Sequence, residues 1–222
     1  MKRAFAQLRR RDAIGLLATA AVLPLVDPTF AIRPARGEVA PAEAQAAVQD
    51  LAAKIWQLLG RTDLGDPARI DAMTALLDEA TDVELLSRLV LGRYWQRLDD
   101  EQQVRYQALF RDVVMRNFAS RLNQQAKDAK GPLAERFTII SSAPAGKQDV
   151  LVRSTVRPES RDTLAVDWRL RGSDHGPVII DVIIEGVSLL VSQRSEFAAV
   201  IERSDIKGLL AELQARASST KS

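Results

Sequence analysis

The sequence predicts an α+β fold: helices first, a curved antiparallel sheet next, and closing helices at the end. Three observations carry this. Apolar residues recur at three- and four-residue steps over 41–126, the helical period. They switch to alternation over 136–193, the strand period. The helical step returns over 195–216. Helices and strands segregated along the chain, rather than alternating, indicate α+β architecture.

Each element has its own signal. Pro41 suits a first helical turn, and Ala44, Val48, Leu51, Ile55, Leu58 and Leu59 form one stripe before Gly60. Asp66-Pro67 opens a second helix with Ile70, Met73, Leu76 and Leu77 on one face. Thr81-Asp82-Val83-Glu84 fits a capping box with Thr81 as the cap. It precedes a stripe of Val83, Leu86, Leu89 and Val90, ending near Gly92. Asp99 with Gln102 opens the longest helix, bearing Tyr106, Leu109, Phe110, Val113, Val114 and Phe118. Core packing accounts for most residues in these stripes.

Four strands are expected. Phe137–Ser141 is short, and Val150–Val156 follows. Leu164, Val166, Trp168 and Leu170 alternate with Asp167, Arg169 and Arg171. A turn-rich link over 172–177 holds His175 and leads to the longest strand-like run, Val178 to Ser192, at the head of the stretch that ends at Phe197. Its even positions Val178, Ile180, Val182 and Ile184 are apolar, and after Gly186 the parity flips to Val187, Leu189 and Val191. A bulge at Glu185–Gly186 would keep these on one face of a single bent strand. A bent sheet with one aliphatic face can enclose something. Phe197, Val200 and Ile201, then Ile206, Leu209, Leu210 and Leu213, mark the closing helices, and 217–222 reads as a frayed tail.

The chain has 222 residues, 46% hydrophobic and 27% charged, which suits one globular domain over 32–222. No cysteine is present, excluding disulfides and thiolate chemistry. The lone His175 argues against a multi-histidine metal centre. Net charge is +2, and the first 31 residues hold five basic residues against Asp12 and Asp27. The near-neutral remainder gives no support for nucleic-acid binding.

Residues 1–31 read as an export signal. Lys2 to Arg11 is basic, Ala13 to Val26 is an uncharged, mostly apolar run, and Thr29-Phe30-Ala31 is the small-residue end. The apolar run falls short of the roughly 20 residues a spanning helix needs. Arg10-Arg11-Asp12-Ala13-Ile14 has a twin-arginine look, and an ordinary secretory signal is the alternative.

Catalytic constellations are weak. Asp181 and Glu185 stand four apart on a strand, roughly 13 Å, too far for a dyad, and both are expected on the solvated outer face. His175 has Ser173 and Asp174 beside it, but no serine has a nucleophile-elbow context. An enzyme would need an inward acid or base.

Four segments carry a family resemblance: LLSRLVLGRYWQRLDDEQQVRYQALFRDVVMRNFASRL (85–122), VDWRLR (166–171), VIIDVIIEGVSLLVSQRSEF (178–197) and the closing helix over 206–213. Together they resemble the MlaC-type (toluene-tolerance) family of periplasmic phospholipid-binding proteins. Tyr106 stands where that family often has phenylalanine. The twin-arginine look and Trp168 are also similar to its hopanoid-associated branch.

The resemblance implies an NTF2-like sheet and helices closing a deep apolar pocket. It implies a soluble periplasmic carrier, not an enzyme, with bound lipid as cargo and no cofactor. Its implied partners are an outer-membrane lipoprotein and an inner-membrane MCE-domain protein of an ABC transporter. The pocket residues expected are Val166, Trp168, Ile180, Val182, Ile184, Val187 and Leu189 on the sheet side. Leu89, Trp95, Phe110, Val114 and Phe118 are expected on the helix side. A hopanoid cargo, a packed periplasmic adaptor and an NTF2-like isomerase or hydrolase are the alternatives.

Overall fold

The computed structural model describes residues 39–125, 130–159 and 162–220. The expected export signal, 1–31, lies outside the described residues. Helices α1 (Pro41–Leu59), α2 (Asp66–Ala80) and α3 (Val83–Leu91) come first. A 3-10 turn follows over Gly92–Arg97. Then α4 (Asp100–Phe110) runs through a π-helical segment, Arg111–Met115, into α5 (Arg116–Asn123). Strands β1 (Phe137–Ala145), β2 (Asp149–Val156), β3 (Leu164–Ser173), β4 (Gly176–Ile184) and β5 (Val187–Ser188) lead to α6 (Leu189–Thr220). No helix among the described residues is long and apolar enough to cross a membrane.

Local chemistry explains the helix ends. Pro41 begins α1. The α4 capping box forms as expected: the Gln102 amide donates to Asp99 Oδ1 at 2.8 Å, and the Asp99 amide to Gln102 Oε1 at 3.2 Å. At α3 the cap moves by one residue. Asp82, not Thr81, accepts from the Leu85 amide at 2.9 Å. The Thr81 hydroxyl instead donates to the Leu77 carbonyl at 2.7 Å, satisfying an orphan acceptor at the end of α2. Gly92 closes α3 with φ +56, a region where a side chain is strained.

The strands form an antiparallel meander in chain order, β1-β2-β3-β4-β5. Val150, Val152 and Ser154 lie opposite Leu170, Trp168 and Val166. Those in turn lie opposite Ile179, Val182 and Ile184. One face therefore carries all nine. On the other, buried Asp149 accepts from Arg169 and Arg171 at 2.7 Å each.

Three expectations for the long run are corrected. The even-numbered set does not share a face, because the β3–β4 register shifts between Arg169 and Leu170. Ile180 is the extra residue, Ile179 takes its place opposite Leu170, and Val178 lies opposite Arg171. The bulge at Glu185–Gly186 is instead a tight hairpin turn. Ile184 pairs with Val187, and both turn residues have positive φ, 49 and 80, as a type I′ turn requires. The strand then stops at Ser188, and α6 starts at Leu189 rather than near 195.

Asp181 explains that early start. It is buried at 7% exposure, not solvated. Its carboxylate accepts from Ser188 Oγ at 2.6 Å and from the Leu190 amide at 3.0 Å, while Ser188 Oγ accepts from the Val191 amide at 3.0 Å. A strand residue thus serves the orphan amides of a helix N-terminus. The helix bends at Asp205, whose φ of 57 and ψ of −172 are non-helical. The expected frayed tail is helical to Thr220, with Ala217 buried at 5%. The link over 172–177 narrows to a turn at Asp174–His175, because Ser173 pairs with Gly176.

The buried apolar residues form separate clusters, where one contiguous core is usual. Helices α3, α4 and α6 build one around Tyr106, Phe110 and Phe197. There the Tyr106 ring lies 6.3 Å from Trp95, 5.9 Å from Phe110 and 6.3 Å from Phe197. The Tyr106 hydroxyl donates to the Ser87 carbonyl at 3.1 Å, and burial pushes its phenol pKa up. Helix α1 builds another on the sheet, with Val48 and Leu51 beside Val150, Val152 and Leu170.

Candidate functional site

Helix α1 covers only part of the sheet's apolar face. Over the rest lies a hollow of about 520 Å³, within the range typical of ligand pockets. Its sheet wall is Val166, Trp168, Ile179, Ile180, Val182 and Ile184. Across it stand Phe110, Val114, Met115, Phe118 and Leu122. Helix α1 adds Leu51, Ala52, Ile55, Trp56 and Leu59, and α6 adds Leu189 and Leu190.

The walls are held from behind. Trp168 Nε1 donates to Ser154 Oγ at 2.9 Å, and Ser154 Oγ to the Val166 carbonyl at 2.7 Å. That chain satisfies the indole and leaves its ring as wall. The π-helical segment adds a residue to the turn and buries Val113, Val114 and Met115 in succession. Val114 and Met115 reach the hollow.

Polar groups gather at one end. Arg136 stands just ahead of Phe137, which begins β1, Val156 ends β2 ahead of Arg157 and Pro158, Leu164 begins β3 and Ile184 ends β4. All border the hollow, as do Arg121 and Gln125 at the end of α5. Arg121 and Arg157 are exposed, so this end is the mouth. Among the described residues the wall holds one carboxylate, Asp181, whose oxygens accept from Ser188 and Leu190.

Nine of the expected pocket residues border the hollow: Phe110, Val114, Phe118, Val166, Trp168, Ile180, Val182, Ile184 and Leu189. Three do not. Leu89 is outside the lining, and its backbone carbonyl accepts from Arg194 of α6 at 3.1 Å. Trp95 packs edge-on to Tyr106, with the Arg88 guanidinium 5.4 Å from its ring. Val187 begins β5, just past the hairpin turn, at 57% exposure. The α1 wall and the rim arginines were not anticipated. The width of the α1 apolar band, with Ala52 and Trp56 beside the main stripe, was the available signal for the former. His175 is exposed in its turn, its amide 3.2 Å from Ser173 Oγ.

A second groove of about 720 Å³ lies between α2 and α5. It is crossed by ion pairs, Arg111–Asp78 at 2.6 Å and Arg116–Asp71 at 2.5 Å, and is polar where the first is aliphatic.

Fold and hollow define an α+β container with a greasy interior and a basic rim. The chain belongs to the MlaC protein family, whose model matches residues 48–215. It is also similar to a solved structure from Ralstonia solanacearum, a phospholipid-binding protein determined in complex with a phospholipid. That match has 26% identity and a TM-score of 0.61, over 83% of this chain and 99% of that one.

Proposed function

We propose that this protein is a soluble lipid carrier whose hollow holds the acyl chains of a phospholipid while the headgroup stays at the mouth. The observation that carries this reading is the aliphatic hollow of about 520 Å³ between sheet and helices. Each acyl CH₂ exposed to water costs about 0.8 kcal/mol, so two chains of roughly 14 CH₂ cost about 22 kcal/mol. Free passage through water is therefore very slow. A wall as apolar as a bilayer makes transfer nearly neutral and lowers only the barrier, so no catalytic side chain is needed.

Family membership and the phospholipid-bound relative support the same reading. On it, residues 1–31 direct export to the periplasm, by the twin-arginine or the general secretory route. The carrier then works between an outer-membrane lipoprotein and an inner-membrane MCE-domain transporter. A packed adaptor would lack the hollow. An enzyme would need a free acid or base in the wall, and the wall's carboxylate is engaged by Ser188 and Leu190.

The test is mass spectrometry of lipid extracted from protein purified from cells. Phospholipid is expected in near-stoichiometric amount, and a hopanoid in its place would change the cargo but not the reading. Protein that carries no lipid, and takes none from vesicles, overturns it.

A further inference from the structure

We infer that the mouth is an anion clamp. Arg121, Arg136 and Arg157 hold the phosphate of the bound lipid, so the carrier favours net-anionic diacyl lipids over zwitterionic ones. This rests on the carrier reading above and adds the headgroup class to it.

Backbone geometry places two of the three arginines opposite each other, and the third borders the same hollow. Phe137 and Val156 are paired across β1 and β2. One step further out, the Arg157 amide donates to the Arg136 carbonyl at 2.7 Å, so the two residues sit opposite each other at the strand ends. Arg121 comes from α5, beside Leu122, and all three border the hollow.

Among the described residues, none of the three forms an ion pair with a carboxylate. Arg136 Nε donates to the Lys130 carbonyl at 3.2 Å, which neutralises nothing. The contrast is Asp149, where two arginines share one buried carboxylate. A guanidinium fork matches phosphate oxygens in a bidentate fashion, and three near one opening repel each other until an anion arrives. The lining's one carboxylate among the described residues, Asp181, is buried and engaged, and of the acidic residues beside the rim Glu159 is paired with Lys130 at 3.7 Å.

The experiment presents delipidated full chain with vesicles of phosphatidylglycerol and phosphatidylcholine in equal amounts and reads the captured lipids by mass spectrometry. The wild type should take phosphatidylglycerol in about tenfold excess, the scale of one or two charge-assisted contacts at an exposed site. The Arg121→Gln, Arg136→Gln, Arg157→Gln triple variant should bring that ratio to about one. A wild-type ratio near one overturns the clamp and leaves the carrier intact. Capture of neither lipid overturns both.

A triple variant that keeps the preference overturns the clamp as well. If that variant misfolds, wild type alone decides. The preference should shrink severalfold at about 0.5 M salt, where exposed charges are screened, and an undiminished ratio overturns the clamp. Millimolar inorganic phosphate should leave captured phosphatidylglycerol in place. Displacement would assign the arginines to a free anion instead.

Discussion

Phe110 lives in two environments. On one side its ring lies 5.9 Å from Tyr106 and 6.5 Å from Phe197, in a cluster of buried side chains. On the other it belongs to the wall of a hollow of about 520 Å³. The same kinds of side chain make both regions. They differ in what stands opposite. In the helical core α3, α4 and α6 meet directly, with rings edge to face. Over the sheet, α1 packs on one part of the apolar face and the hollow lies over the rest. Close packing is where dispersion energy is gained, so the helical core should supply stability and the hollow should supply capacity.

Substitutions can break or sharpen that contrast. The largest effect is expected for Phe197→Ala, in the packed region. Loss of a buried aromatic there should cost about 3–5 kcal/mol in urea unfolding, and a cost under about 1 kcal/mol would erase the distinction. Next is Tyr106→Phe, which deprives the Ser87 carbonyl of its donor while keeping the ring. A loss of about 1 kcal/mol is expected, from the same unfolding measurement. The smallest effect on stability is expected for Val182→Trp, which sends a large ring into the hollow. In a packed core such overfilling costs about 1–3 kcal/mol. Here the midpoint should hardly move, while lipid per protein falls severalfold by mass spectrometry. A variant that unfolds yet still carries lipid when refolded would mean that the space had been misjudged.

The sequence revealed the regular parts and missed the irregular ones, for physical reasons. Val166, Trp168 and Leu170 could be read as one face because β3 pairs on both sides and keeps its period. The β4 face could not, because the register shift beside Leu170 involves no glycine or proline to flag it. Glu185-Gly186 was visible as a break, but Glu in place of the usual Asn or Asp hid the type I′ turn. Asp181 read as a surface charge because its partners, Ser188 and Leu190, come close only once the hairpin forms. The helix-side wall was half legible. Along the α3 stripe, periodicity does not say that Leu86 and Val90 reach the hollow while Leu89 does not. The rim arginines carry no local signal, since an arginine beside a pocket and one in open solvent look alike in one dimension.

The meander has a consequence for how the protein comes into being. Its strands lie in the order in which they leave the ribosome, and two of its hairpins turn within a pair of residues, Asp174–His175 and Glu185–Gly186. Short loops lose little entropy on closing, and pairings between sequence neighbours form early and fast. The sheet wall can therefore zip up one hairpin at a time without a guest to shape it. A vessel made this way is finished before it is filled.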